Sequence, residues 1–114
     1  MHELAITHNI LNVALDEAKA VQAKRITQIN LRIGELSGVV TDSVQFYFDF
    51  LSKDSIAEGS MLSFELIPTQ LKCRHCLTTF NPKDILWNCP NCQSQSIEII
   101  SGRDFLLESL EVDQ

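Results

Sequence analysis

A chain of 114 residues with 45% hydrophobic and 21% charged content builds one ordinary compact domain, or a small core plus one metal-stapled module. Its formal charge of -6 and pI of 4.9 argue against nucleic acid as the main partner, because phosphate binding needs a basic footprint. No apolar run approaches the roughly 20 residues of a membrane span, so no membrane role is expected.

Residues 4–24 read as a helix. Leu4, Leu11, Ala14, Leu15, Ala18 and Val21 recur at threes and fours with Ile10 beside them, while Asp16, Glu17, Lys19 and Gln22 fill the other face. Residues 26–33 read as a strand, since Ile29, Leu31 and Ile33 alternate with Gln28, Asn30 and Arg32. Gly34 to Gly38 is a loop. Thr41 or Asp42 is the expected cap of a second helix near 43–53, whose stripe of Val44, Tyr47, Phe48 and Leu51, extended by Phe46 and Phe50, reads as core. After a turn at Ala57–Gly59, residues 61–68 read as a strand with Leu62, Phe64 and Leu66 on one face, closed by Pro68.

All four cysteines come next, as Cys73-Arg-His-Cys76, twelve residues, then Cys89-Pro-Asn-Cys92. This C-x2-C-x12-C-x2-C spacing is close to that of a structural zinc site. Each CxxC turn sets two thiolates on one side of a metal, and a hairpin between the turns completes a tetrahedron. A closed four-thiolate shell has no open position, so the module holds structure. Disulfides need an oxidising compartment, and Met1-His-Glu-Leu-Ala-Ile-Thr-His8 lacks the basic stretch and apolar core of a secretory signal, which points to the cytoplasm. A redox CxxC uses one pair, not two framing a hairpin. Iron on four cysteines is chemically allowed, but the short arm favours a zinc ribbon. Glycine often follows the second cysteine of such a turn; here Leu77 and Gln93 do. His75 lies inside a CxxC, as a solvated loop residue or a substitute ligand. Lys72, Arg74 and Lys83 make only a weak basic patch near it.

Beyond the ribbon, Ile97, Ile99 and Ile100 lead to Gly102, and residues 104–112 read as a last strand with Leu106, Leu110 and Val112 on one face, interrupted by Glu108. The expected fold is α/β: a small sheet of about three strands with two helices, and an inserted four-cysteine zinc-ribbon module. The expected division is a discontinuous α/β domain of residues 1–69 and 96–114 and a zinc-binding domain of residues 70–95.

The chain carries no P-loop, HExxH or G-x-S-x-G pattern, and its three histidines, His2, His8 and His75, stand in no catalytic context. It reads as a binder, not an enzyme. The remaining odd feature is the terminus. A large second residue is expected to leave Met1 in place, so its α-amine, the His2 backbone and ring nitrogens, and a Glu3 donor can surround one ion. Planar nitrogen-rich sets suit nickel(II) or copper(II).

Met1-His2-Glu3-Leu4, then Ile33-Gly34-Glu35-Leu36-Ser37-Gly38-Val39, the two CxxC pairs and Ile100-Ser101-Gly102-Arg103, in this order, resemble the hydrogenase nickel-incorporation family HypA/HybF. The resemblance spans essentially the whole chain. It implies a nickel metallochaperone that carries Ni(II) on the Met1 α-amine, His2 and Glu3, and structural Zn(II) on Cys73, Cys76, Cys89 and Cys92. It also implies delivery to the large subunit of [NiFe] hydrogenase with a GTPase partner, urease maturation proteins being alternative partners, and a monomer or homodimer. The competing readings are a zinc-ribbon adaptor or regulator without a nickel role, and a small zinc enzyme, which a four-cysteine shell without an exchangeable water opposes.

Overall fold

The computed structural model describes residues 3–82 and 87–114. The expected roles of Met1, His2 and Lys83 therefore fall outside the described residues. In chain order the elements are α1 (Glu3–Ala20), β1 (Arg25–Gly34), α2 (Thr41–Leu51), β2 (Met61–Ile67), β3 (Gln70–Cys73), β4 (Thr79–Phe80), β5 (Ile97–Ser101) and β6 (Phe105–Asp113). They make two three-stranded sheets, one ordered β2-β1-β6 and one ordered β4-β3-β5.

The first sheet is the body. β1 runs parallel to β2, across the α2 connection, and antiparallel to β6. Ile10, Leu11, Ala14 and Ala18 of α1 meet Val44 and Phe48 of α2 and Ile26, Ile29 and Leu31 of β1 in one buried cluster. Two irregularities in the β1–β6 pairing decide which residues join it. One, between Ile26 and Gln28, leaves Thr27 extra, so both Ile26 and Ile29 point inward. The other, between Asn30 and Leu31, steps from Ser109 to Leu107 and skips Glu108.

That second bulge corrects the reading of the last strand. Phe105 and Leu107 pack on the core with Leu110 and Val112, whereas Leu106 is exposed on the outer face. Glu108, the residue that broke the pattern, is the bulge itself. With Glu65 it holds the Arg32 guanidinium at 3.4 and 3.3 Å.

Other edges of the expectation move for similar local reasons. α1 ends at Ala20 because Gln22 turns left-handed, φ 57°. The Ala23 N–H then bonds the Ala18 carbonyl and the Gln22 N–H the Lys19 carbonyl, a Schellman stop made without glycine. α2 begins two residues before its expected start, with Val40 at the cap position and no side-chain cap from Thr41 or Asp42. The Glu3 carboxylate, from the first turn of α1, accepts the Val40 N–H at 3.2 Å instead. Phe46 and Phe50 do not join the core, and Leu66, at the far end of β2, lies outside it too.

The second sheet is the ribbon. β3 pairs antiparallel with both β4 and β5. Its link to the body is tight. A Cβ on Gly34 would lie 2.2 Å from the Gly102 carbonyl, and one on Gly102 would lie 2.8 Å from Thr69 Cα. The Gly34 N–H donates to the Asp104 carbonyl at 2.8 Å, Leu36 N–H to the Gly102 carbonyl at 2.7 Å, and Thr69 N–H to the Glu35 carboxylate at 2.6 Å.

Candidate metal centre

Two matching turns present the cysteines. In the first, the Leu77 N–H returns to the Cys73 carbonyl and the Cys73 N–H to that of Thr78; in the second, Gln93 N–H returns to Cys89 and Cys89 N–H to Ser94. The turns close because Leu77 and Gln93 adopt left-handed backbones, φ 65° and 62°. These are the two positions where the sequence departs from the usual glycine. The backbone conformation is therefore kept, and the side chains tolerate it.

The β3–β5 and β3–β4 ladders bring the turns face to face. The sulfurs of Cys73, Cys76, Cys89 and Cys92 all lie within 4.8 Å of one another. Cys73 and Cys92 are 3.5 Å apart, as are Cys76 and Cys89. A tetrahedral ion with metal–sulfur bonds of about 2.3 Å sets its sulfurs about 3.8 Å apart, so this donor set fits zinc. Cys73 and Cys89 are buried, while Cys92 is exposed. His75 is exposed and outside the four-residue cluster.

The electrostatics explain why a cation belongs here. The Thr78 hydroxyl, 3.1 Å from Cys76 Sγ, and its backbone N–H hold the Cys76 thiol down to about 5. The Cys76 and His75 N–H groups lower Cys73 against the opposing effect of burial. A bond from the Ser94 backbone acts to lower Cys92 as well. Nevertheless the crowding of Cys73, burial and the remaining thiols push Cys92 up to about 12. The set accepts its first negative charges readily and resists the last. A dication reverses that resistance and takes all four sulfurs as thiolates.

Of the residues expected at a nickel site, Glu3 is the one that the structure describes. Its carbonyl accepts the buried Thr7 hydroxyl at 2.6 Å, and its carboxylate reaches across to Val40. The side chain thus ties the first turn of α1 to the N-terminus of α2. This interhelix contact was not legible in the sequence, since nothing local links residues 3 and 40.

Comparison with known proteins gives one consistent result. Residues 1–112 match the family model described as "Hydrogenase/urease nickel incorporation, metallochaperone, hypA". A hydrogenase maturation factor HypA of Dehalococcoides mccartyi is 45% identical over 113 residues, covering 99% of this chain and 95% of that protein. One from Caldanaerobacter subterraneus subsp. tengcongensis is 37% identical over 114 residues, covering 99% and 100%. Among solved structures, the Ni metallochaperone HypA from Helicobacter pylori superposes with a TM-score of 0.72 at 25% identity, covering 99% of this chain and 98% of that one. A second HypA solution structure gives a TM-score of 0.79 at 25% identity, with 98% and 96% covered.

Proposed function

The chain belongs to the HypA family of hydrogenase and urease nickel-incorporation metallochaperones, and from that premise we propose that it carries Ni(II) at its N-terminus and hands it to an immature [NiFe] hydrogenase. The observation that carries the reading is the family match over residues 1–112, which takes in the Met1-His2-Glu3 terminus as well as the cysteine arm. On this reading the Met1 α-amine, His2 and the Glu3 backbone bind nickel, and Cys73, Cys76, Cys89 and Cys92 hold structural zinc. Zinc supplies no reaction; it fixes the arm. The receiving protein is the hydrogenase large subunit, a GTPase of the same maturation system takes part in the transfer, and the setting is the cytoplasm.

A delivery site must release what it binds. A terminus that offers few donors yields its ion to a better-built receiving site, whereas a closed cage does not. The imidazole and the amine must lose protons to bind, so falling pH weakens nickel binding.

The test is metal analysis of untagged protein followed by Ni(II) titration of wild type and His2→Ala at two pH values. One zinc per chain as purified, and one nickel that vanishes with His2, is the expected result. Zinc without any His2-dependent nickel would overturn the carrier reading and leave a ribbon-bearing adaptor.

A further inference from the structure

α2 turns two phenylalanines away from the core. Val44 and Phe48 are fully buried on one side of the helix, whereas Phe46 and Phe50, one turn apart on the other, are 69% and 66% exposed. Single exposed apolar residues are ordinary on protein surfaces, but here two largely exposed phenylalanines neighbour each other on one helix face, and aromatic side chains are enriched at interfaces. Each ring has a neighbour close to it in the chain. Phe46 stands edge-on to Tyr47 with centroids 5.5 Å apart, and the Lys53 ammonium lies 5.7 Å over the Phe50 ring. A phenylalanine ring has only two side-chain torsions to order on docking, which suits it to anchor a contact. Asp42 and Asp49 are exposed beside them, the latter accepting the Gln45 amide at 2.9 Å.

We propose that this face of α2 docks the protein that exchanges nickel with this chain, a partner presenting an apolar groove rimmed by Lys or Arg. The proposal rests on the delivery reading above. A second copy of the chain fits the face poorly. The two rings offer on the order of 200–300 Å² of apolar surface, against roughly 800 Å² per partner in a stable interface. A symmetric contact also sets Asp42 and Asp49 of one chain against those of another, each chain bearing a net charge of -6. A small apolar anchor whose rim carries Asp42 and Asp49 against the single Lys53 cation, on a chain of net charge -6, instead matches a brief encounter with a basic-rimmed partner.

Position supports the same occupant. The Glu3 carboxylate meets the Val40 N–H, so α2 starts beside Glu3, the residue that follows the proposed nickel ligands Met1 and His2 in the chain. At about 1.5 Å per residue, Phe46 and Phe50 stand roughly 9 and 15 Å along the axis from that point. A partner gripping the rings stands within that distance of Glu3.

The test titrates the maturation GTPase and the immature hydrogenase large subunit, both from the same organism, against the zinc-loaded full chain. The chain is used as wild type, Phe46→Ala/Phe50→Ala, Asp49→Lys, and Leu106→Ala as a control on the outer sheet face. Zinc content, nickel stoichiometry and gel-filtration volume are followed for each. The double phenylalanine variant is expected to keep its zinc, its nickel and its wild-type elution, yet lose about tenfold or more in affinity for whichever protein binds wild type. Asp49→Lys should weaken binding at low salt with the difference shrinking at high salt, and Leu106→Ala should bind as wild type does. Unchanged affinity in the double variant overturns the docking surface alone. A wild-type dimer that the double substitution dissolves assigns the face to a second copy and overturns it as well. Failure of both proteins to bind wild type removes the delivery reading, and this proposal with it.

Discussion

Leu77 and Gln93 show that a left-handed backbone position can be filled by residues other than the glycine best suited to it. Each holds a positive φ directly after the second cysteine of its turn, where a Cβ crowds the following carbonyl at a cost of about 1–2 kcal/mol. Glycine removes that strain but gives back about 0.5–1 kcal/mol in unfolded-chain entropy. Leu77→Gly and Gln93→Gly should therefore each stabilise the zinc-loaded arm by roughly 0.5–1 kcal/mol. Resistance of the arm to proteolysis checks this, and faster cleavage of the glycine variants would contradict it. The donor set follows a second residue-scale rule. Thr78 holds the Cys76 thiol down to about 5. Thr78→Val removes the hydroxyl, so the Cys76 pKa rises and protons compete better with metal. Zinc release on acidification should accordingly begin at a higher pH in the variant, as read with a chromogenic chelator. An unchanged release profile would show that the hydroxyl does not matter to the loaded site. The cysteine ligand set was fully legible because the chemistry of a CxxC pair is local, and the same locality made the two missing glycines visible.

Elements were legible where one periodicity ran unbroken. α1 and β1 followed from spacing alone, but α1 stops early because Gln22 takes a left-handed turn that its side chain does not advertise. In β6 a bulge at Glu108 changes the parity of the strand midway. A strict two-residue period therefore set Leu106 on the face of Leu110 and Val112, where Leu107 belongs. α2 hid more. Counting aromatics could not separate Phe48, which fills the core, from Phe46 and Phe50, which leave it, because all six apolar side chains lie on an eleven-residue helix with only one packed face. Its N-terminus is capped from α1 through the Glu3 carboxylate, a negative group at the positive end of the helix. Glu3→Ala should cost about 0.5–1 kcal/mol and lower the hydrogen-exchange protection of the Val40 amide. Retained protection at Val40 would mean that the carboxylate does not hold the helix start.

At the scale of the molecule, two segments that supported the family resemblance prove to be two halves of one joint. Ile33–Val39 and Ile100–Arg103 are far apart in sequence, yet the Leu36 N–H donates to the Gly102 carbonyl at 2.7 Å, and a Cβ on Gly34 would fall 2.2 Å from that same carbonyl. Both chain connections between the sheets pass through this point. The path from β2 to β3 is held by the Glu35 carboxylate on the Thr69 N–H and by the Ser101 hydroxyl on the Pro68 carbonyl. The path from β5 to β6 runs through Gly102, whose φ of 101° and contacts with Thr69 both exclude a side chain. Motif order alone carried this segment to a family, but not to its physical role, which needs the strands to pair first. The joint has a measurable consequence because the cysteine cluster lies beyond it, on the far side of β3. Gly34→Ala and Gly102→Ala must push backbone apart in a closely packed site, at a cost of about 1–3 kcal/mol, without touching a zinc ligand. Each variant should bind one zinc as wild type does, melt at a lower temperature, and become open to protease near residues 66–70 or 100–104. Loss of zinc in either would show that the joint and the cluster form one cooperative unit, and wild-type stability in both would show that the joint yields freely and does not clamp the arm to the body.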